Sequence, residues 1–175
     1  MSSKKYSQIS INKIEAFVFD FDGVLTNNDV YIDQDGKESV SCSRADGLAF
    51  DVLRKLHKPA YILSTEENLV VKARADKLKV PVIQGIFNKV DGIKQIARKE
   101  GFNLSSILYV GNDINDYNVM KLCGYTVCPS DSHEVIKSIS DIVLKTAGGK
   151  GVVRELLEHT LNINFTKVLY STPTN

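Results

Sequence analysis

The stretch Phe17-Val18-Phe19-Asp20-Phe21-Asp22-Gly23-Val24-Leu25-Thr26 decides how the chain is read. Ala16 to Phe19 is a continuous apolar run, β-rich rather than alternating, as expected of a strand buried on both faces. It stops at two carboxylates one residue apart, followed by Gly23. In an extended segment Asp20 and Asp22 lie on one side, and Gly23 marks a tight exit or a close approach of backbone to a ligand. Ligands of parallel α/β sheets sit beyond the carboxyl ends of the strands, which is where Asp20 falls. Neighbouring carboxylates raise each other's proton affinity unless a cation holds them. Asp-x-Asp by itself is more often a cap or turn pair; the rest of the chain weighs against that here.

Outward from this strand, strand-like and helix-like segments alternate. Two short β-like stretches, 30–33 and 38–42, flank Gln34-Asp35-Gly36, and Asp-Gly in such a place signals a hairpin. A lone hairpin is marginally stable in water, so it is expected to pack on something else, another subunit included. A helix opens at Asp46-Gly47 with Leu48, Val52, Leu53 and Leu56 on one face and stops at Pro59. Strands are expected at 60–63, 82–84, 107–110, 125–127 and 142–144. Helices are expected at 69–79, at 90–100 with Ile93, Ile96 and Ala97 inward, near Asp116, at 132–139 and from Gly151 to about Leu161. This alternation predicts an α/β fold, a parallel sheet with right-handed crossovers and helices on both faces. Residues 1–12 read as a flexible N-terminus, 13–161 as one domain with the hairpin at about 29–43, and 162–175 as a C-terminal tail.

The 175 residues, 43% hydrophobic and 25% charged, suit one globular domain with a core that needs no disulfides. A net charge of +1 without a long basic run gives no reason to expect nucleic acid as a partner. Three cysteines, Cys42, Cys123 and Cys128, are odd in number and lack metal-type spacing. They read as buried or incidental thiols of a reducing compartment. Residues 1–13 are polar without a signal-peptide core, and no apolar run approaches a membrane span, so the expected location is the cytoplasm.

Chemistry gathers at the strand ends. Ser64, with Thr65 beside it, follows the 60–63 strand and precedes a helix start, a place suited to a phosphate oxygen; alone, such a serine is more often a helix cap. Lys89 opens a helix after Gln84-Gly85-Ile86-Phe87-Asn88. A cation is mildly unfavourable there, so it wants a reason, although a solvated surface lysine is the ordinary one. Gly111-Asn112-Asp113-Ile114-Asn115-Asp116 closes the 107–110 strand with oxygen donors of the kind hard divalent cations prefer. An Asx-rich helix cap is the competing reading.

Taken together these segments resemble the motifs of the haloacid dehalogenase (HAD) phosphohydrolases. The resemblance implies a HAD-like Rossmannoid three-layer sandwich, with a β-hairpin insert after the first strand and no cap domain. It implies Asp20 as the nucleophile that becomes an aspartyl phosphate and Asp22 as the general acid/base. Ser64, Thr65 and Lys89 are implied phosphate-binding groups. Mg2+ is the implied cofactor, held by Asp20, the Asp22 carbonyl, Asn112 and Asp113, with Asp116 behind them. The family's usual Gly-Asp is here Gly111-Asn112, an amide that ligates through oxygen but brings no charge. Arg44-Ala45-Asp46-Gly47 and Gly148-Gly149-Lys150-Gly151-Val152-Val153-Arg154-Glu155 look like those of capless, tetrameric sugar-acid phosphatases acting on octulosonate 8-phosphate or nononate 9-phosphate. A related domain is appended to some CMP-sialate synthetases. Thr65-Glu66 replaces the Gly-Arg of the octulosonate branch, and Glu66, Arg74 and Lys77 fall where the nononate enzymes select substrate. The implied protein is a Mg2+-dependent phosphomonoesterase of a phosphorylated 2-keto-3-deoxy sugar acid, nononate favoured, working as a homotetramer. For Arg74 and Lys77 an exposed charged helix face stands level with that role. The rivals are a non-catalytic tetramerisation or regulatory domain of the same fold and a receiver-like phospho-accepting switch.

Overall fold

The computed structural model describes residues 9–171. Its strands in chain order are β1 (Ala16–Phe19), β2 (Thr26–Ile32), β3 (Glu38–Cys42), β4 (Ala60–Leu63), β5 (Val82–Ile83), β6 (Ile107–Val110), β7 (Tyr125–Cys128) and β8 (Ile142–Val143). The helices are α1 (Ala45–Lys55), α2 (Leu69–Leu78), α3 (Lys89–Glu100), α4 (Tyr117–Met120), α5 (Glu134–Ile139), α6 (Val152–Glu155) and α7 (Phe165–Tyr170). Strands β2 and β3 pair antiparallel as a separate hairpin, and the other strands form a six-stranded sheet in the order β5-β4-β1-β6-β7-β8. All its neighbouring pairs are parallel. The chain leaves β1 toward one edge through β4 and β5, then crosses back to β6 on the other side. That reversal opens a crevice beyond the carboxyl ends of β1 and β6, where open α/β sheets bind ligands.

Alternate residues of the central strands feed two cores, which explains why β1 is apolar throughout. Phe17, Phe19, Ile62, Leu108 and Val110 pack toward α1, α2, α6 and α7. Ala16, Val18, Leu63 and Tyr109 pack toward α3, α4 and α5. The result is the three-layer α/β architecture expected from the alternation, and among the described residues only the hairpin is inserted after β1; no cap domain is present.

Two expectations are corrected. Helix α1 turns Leu48 outward, 41% exposed, and buries Asp46, Ala49, Phe50, Val52 and Leu53. The stripe begins at a polar residue, so an apolar-only pattern selects the wrong face. Asp46 belongs inside because its Oδ1 accepts the backbone N–H groups of Val153 at 2.9 Å and Arg154 at 3.1 Å, tying α1 to α6. The segment read as a tail contains α7, which buries Phe165 against the first core and sets its ring 4.5 Å from the Arg154 guanidinium, a cation–π contact. Six residues are too few for helical periodicity to announce themselves. At the other end Ile9 and Ile11 also touch the core. The rest of the flexible-end expectation falls on residues 1–8 and 172–175, outside the described residues.

Burial pushes the Asp46 carboxyl up to about 6, against the pull of its two N–H partners and the nearby Arg74 charge. The folded value exceeds the unfolded one, so this group's contribution to stability is full below about 4 and is lost as pH rises through about 6. Asp46→Asn keeps an oxygen for the two N–H groups and does not titrate. The stability of wild type relative to this variant is therefore expected to fall by up to roughly 3 kcal/mol between pH 4 and pH 8. Urea unfolding of both proteins at the two pH values measures it; a difference that does not change with pH would place the charge in a better-solvated site.

Candidate active site

Asp20 is the first residue after β1, and its backbone N–H still donates to Val110 O of β6 at 2.9 Å. The strand therefore delivers the carboxylate, only 4% exposed, into the crevice. Its Oδ1 accepts the Phe21 N–H at 2.7 Å and its Oδ2 lies 2.8 Å from Lys89 Nζ. Lys89 begins α3 behind the Asn88 cap and is 3% exposed, so it is not a solvated surface lysine. On its other side Lys89 Nζ meets Asp116 Oδ1 at 2.7 Å. Burial by itself would depress the Lys89 ammonium, but Asp20 and Asp116 outweigh it and raise the proton affinity. Burial and the Asp116 charge push Asp20 up, while Lys89 and the Phe21 N–H pull it back.

Asp116 is fully buried because every lone pair has a donor. Oδ1 takes Lys89 and the Tyr109 hydroxyl, the latter at 2.9 Å; Oδ2 takes the Asn112 N–H at 2.9 Å and the Asp113 N–H at 3.3 Å. Burial and the charge of Asp116 hold the Tyr109 phenol far above its ordinary titration range, so it stays a donor. Asp113 is exposed, and its carboxylate accepts the Ile114 N–H at 2.7 Å within a capping box shared with Asp116. The Asx-cap reading thus describes Asp113. Asn112 differs: it is 8% exposed, and among the described residues its Oδ1 has no hydrogen-bond partner. A buried orphan acceptor of this kind calls for a cation or water.

Asp22 is half-buried beside it and accepts the Thr26 hydroxyl at 3.3 Å, while Thr26 Oγ1 also takes the Gly23 N–H at 3.2 Å. Burial raises the Asp22 proton affinity against the Thr26 bond, and the charge of Glu66 adds to it. Gly23 has φ +71°, and a Cβ there would lie 1.9 Å from Asn112 Nδ2. The turn after β1 and the loop after β6 are in direct contact, which only glycine permits. Gly23→Ala is expected to dislodge Asn112 and to cost at least about tenfold in turnover, together with about 1–2 kcal/mol for the left-handed backbone. Steady-state kinetics beside thermal unfolding measure this; wild-type kinetics in the variant would remove Asn112 from the site.

Ser64 is the first residue after β4, the strand beside β1, is 1% exposed, and accepts the Glu66 N–H at 3.1 Å. Thr65 is exposed beside it. Gly148 and Gly149 close the far wall: the Gly149 N–H donates to Val24 O at 3.0 Å, and a Cβ on Gly148 would lie 2.2 Å from Gly23 O.

With this geometry in view, residues 60–156 match the family model for haloacid dehalogenase-like hydrolases. The chain belongs to that family. A HAD family hydrolase from Streptomyces avermitilis superimposes with a TM-score of 0.88 at 40% identity, over 92% of each chain. The 3-deoxy-D-manno-octulosonate 8-phosphate phosphatase of Moraxella catarrhalis, solved with magnesium, phosphate and KDO, gives a TM-score of 0.82 at 27% identity over 86% of this chain and 87% of its own. KdsC, the enzyme of that name from Escherichia coli K12, is 27% identical over 146 residues, 83% of this chain and 78% of the relative.

In this HAD hydrolase the fold gathers Asp20, Asp22, Lys89, Asn112 and Asp116 at one crevice, with Ser64 at the neighbouring strand end. The residues suggested for substrate selection are spread more widely. Glu66 stands near enough to Asp22 to affect its titration, and its Oε1 accepts the Asn68 N–H at 2.7 Å. Arg74 donates to Ser43 O at 2.7 Å and lines a groove between α1 and α2 with Arg44 and Lys77. Two contributors escaped the sequence reading. Tyr109 passed for core because it lies inside an apolar strand; its hydroxyl was the signal. Thr26 was quoted at the end of the first segment without a role.

Proposed function

We propose that this HAD-family hydrolase is a Mg2+-dependent phosphomonoesterase acting on a phosphorylated 2-keto-3-deoxy sugar acid. The observation that carries the reading is Lys89 Nζ, 2.8 Å from Asp20 Oδ2 at the carboxyl end of the central strand. A buried cation beside a buried carboxylate suits a nucleophile that must approach an anionic phosphoryl group. Asp20 attacks phosphorus in line and the bond to the sugar oxygen breaks; Asp22, whose proton affinity burial raises, gives that oxygen its proton. Asp22 then takes a proton from water as it attacks the aspartyl phosphate, releasing phosphate and restoring Asp20. Ser64 and Lys89 hold phosphoryl oxygens, with Thr65 beside them.

The donors fit a hard divalent cation: the Asp20 carboxylate, the Asp22 carbonyl and the orphaned Asn112 oxygen. Asp113 and Asp116 support that segment. Among the described residues no cluster of three or more His, Cys, Asp or Glu side chains has metal-site geometry, in keeping with a set that counts an amide and a backbone carbonyl. Bound there, Mg2+ would screen the charge of nucleophile and phosphate.

The curated relatives act on octulosonate 8-phosphate, which makes that compound the first substrate to assay. The resemblance of Glu66, Arg74 and Lys77 to the nononate branch carries a second reading, the nononate or N-acylneuraminate 9-phosphates, with Arg74 and Lys77, which line one groove, serving the sugar-acid carboxylate. Val30, Tyr31 and Ile32 of β2 are 50%, 59% and 67% exposed, which supports hairpin-to-hairpin association in a homotetramer. Free Cys42, Cys123 and Cys128 accord with a cytoplasmic setting, and among the described residues no helix is long and apolar enough to cross a membrane. The test is phosphate release from octulosonate 8-phosphate and nononate 9-phosphates, with and without chelator, on protein sized by light scattering. Chelator-sensitive turnover is expected. Tetramers without turnover on any member would instead support the non-catalytic assembly domain.

A further inference from the structure

Lys89 is shared. Its ammonium lies 2.7 Å from Asp116 Oδ1 and 2.8 Å from Asp20 Oδ2, and the two carboxylates compete for one cation in a site with almost no solvent. What distinguishes them is their other donors. Asp20 Oδ2 receives no further donor among the described residues, whereas Asp116 Oδ1 also accepts the Tyr109 hydroxyl at 2.9 Å. Tyr109 is fully buried in the core cluster that also holds Val18, Ile93, Val119 and Met120, which leaves the hydroxyl no solvent to turn to. A second donor on the same oxygen draws off part of its negative charge and weakens its hold on the ammonium.

From this arrangement we infer that Tyr109 is a positioning residue: by donating to Asp116 Oδ1 it keeps the Lys89 ammonium turned toward Asp20 and the phosphoryl group. It touches neither substrate nor nucleophile and acts through Asp116 and Lys89. This rests on the phosphatase reading for its kinetic consequence but not for its geometric one.

Tyr109→Phe removes one oxygen from a packed ring and leaves the core filled, so the fold is expected to survive, checked by thermal unfolding. Without the hydroxyl, Asp116 Oδ1 has Lys89 as its remaining donor and draws it in. A crystal structure of the metal-free variant is expected to show Lys89 Nζ more than 3.5 Å from Asp20 Oδ2; retention of the contact at its present length overturns the inference whether or not the protein is a phosphatase. In steady-state assays with Mg2+ and the wild-type protein's best phosphomonoester, kcat is expected to fall about tenfold, some 1.4 kcal/mol, with KM unchanged within about twofold. A kcat within twofold of wild type would overturn it as well. A merely structural tyrosine would lower the melting temperature and leave kcat per folded molecule unchanged. If wild type turns over no phosphomonoester, the proposed function fails, and the Lys89–Asp20 separation still decides the role of Tyr109.

Discussion

Asp20→Asn is expected to lower kcat by at least about 10,000-fold while leaving the fold intact. The amide is nearly isosteric but a far poorer nucleophile, and losing the group proposed to form the covalent intermediate would remove a whole route rather than one stabilising contact. Stability should change little. Lys89 keeps its 2.7 Å pairing with Asp116, so no buried charge is stranded by the substitution. Rapid acid quench of labelled substrate supplies the second readout: label bound to wild-type protein and absent from the variant. Residual turnover equal to wild type would mean that Asp20 is not the group attacked.

Lys89→Met has the opposite balance, with a large loss of stability as well as of activity. It leaves Asp20 and Asp116, both buried, facing each other without the cation between them. Breaking a buried pair by removing one partner costs about 3–5 kcal/mol, and here one lysine serves two carboxylates. Methionine fills the space, so a cavity is not the cause. Chemical denaturation at neutral pH is expected to show that loss, and Asp116→Asn added to Lys89→Met should recover part of it. No recovery in the double variant would put the damage in packing rather than charge.

Much of the candidate site was legible because each motif is local. A buried strand must be apolar on both faces, so an oxygen-bearing polar residue beyond its end stands out, as the carboxylate Asp20 does after Phe19 and the amide Asn112 does after Val110-Gly111. The hairpin was legible for a similar reason: Asp35-Gly36 supplies the turn, with Gly36 at φ +75°. Reading failed where the sign of a residue depends on a distant partner. Asp46 is polar yet buried because helix α6, more than 100 residues on, offers two N–H groups, and this turned α1 from the face that Leu48 suggested.

The order of strand and helix, the ends of the strands and the acidic and amide residues that crowd those ends were determined by sequence alone, since they depend on backbone preference and on burial repeated every two or four residues. The sharing of Lys89 between Asp20 and Asp116, the recruitment of Tyr109 and Thr26, the contact of Gly23 with Asn112 and the docking of α7 were decided only by the tertiary structure. The Lys89 and Gly23–Asn112 contacts join segments that the crossover from β5 back to β6 brings together, and no local spacing encodes which donors will share one acceptor once water has been excluded.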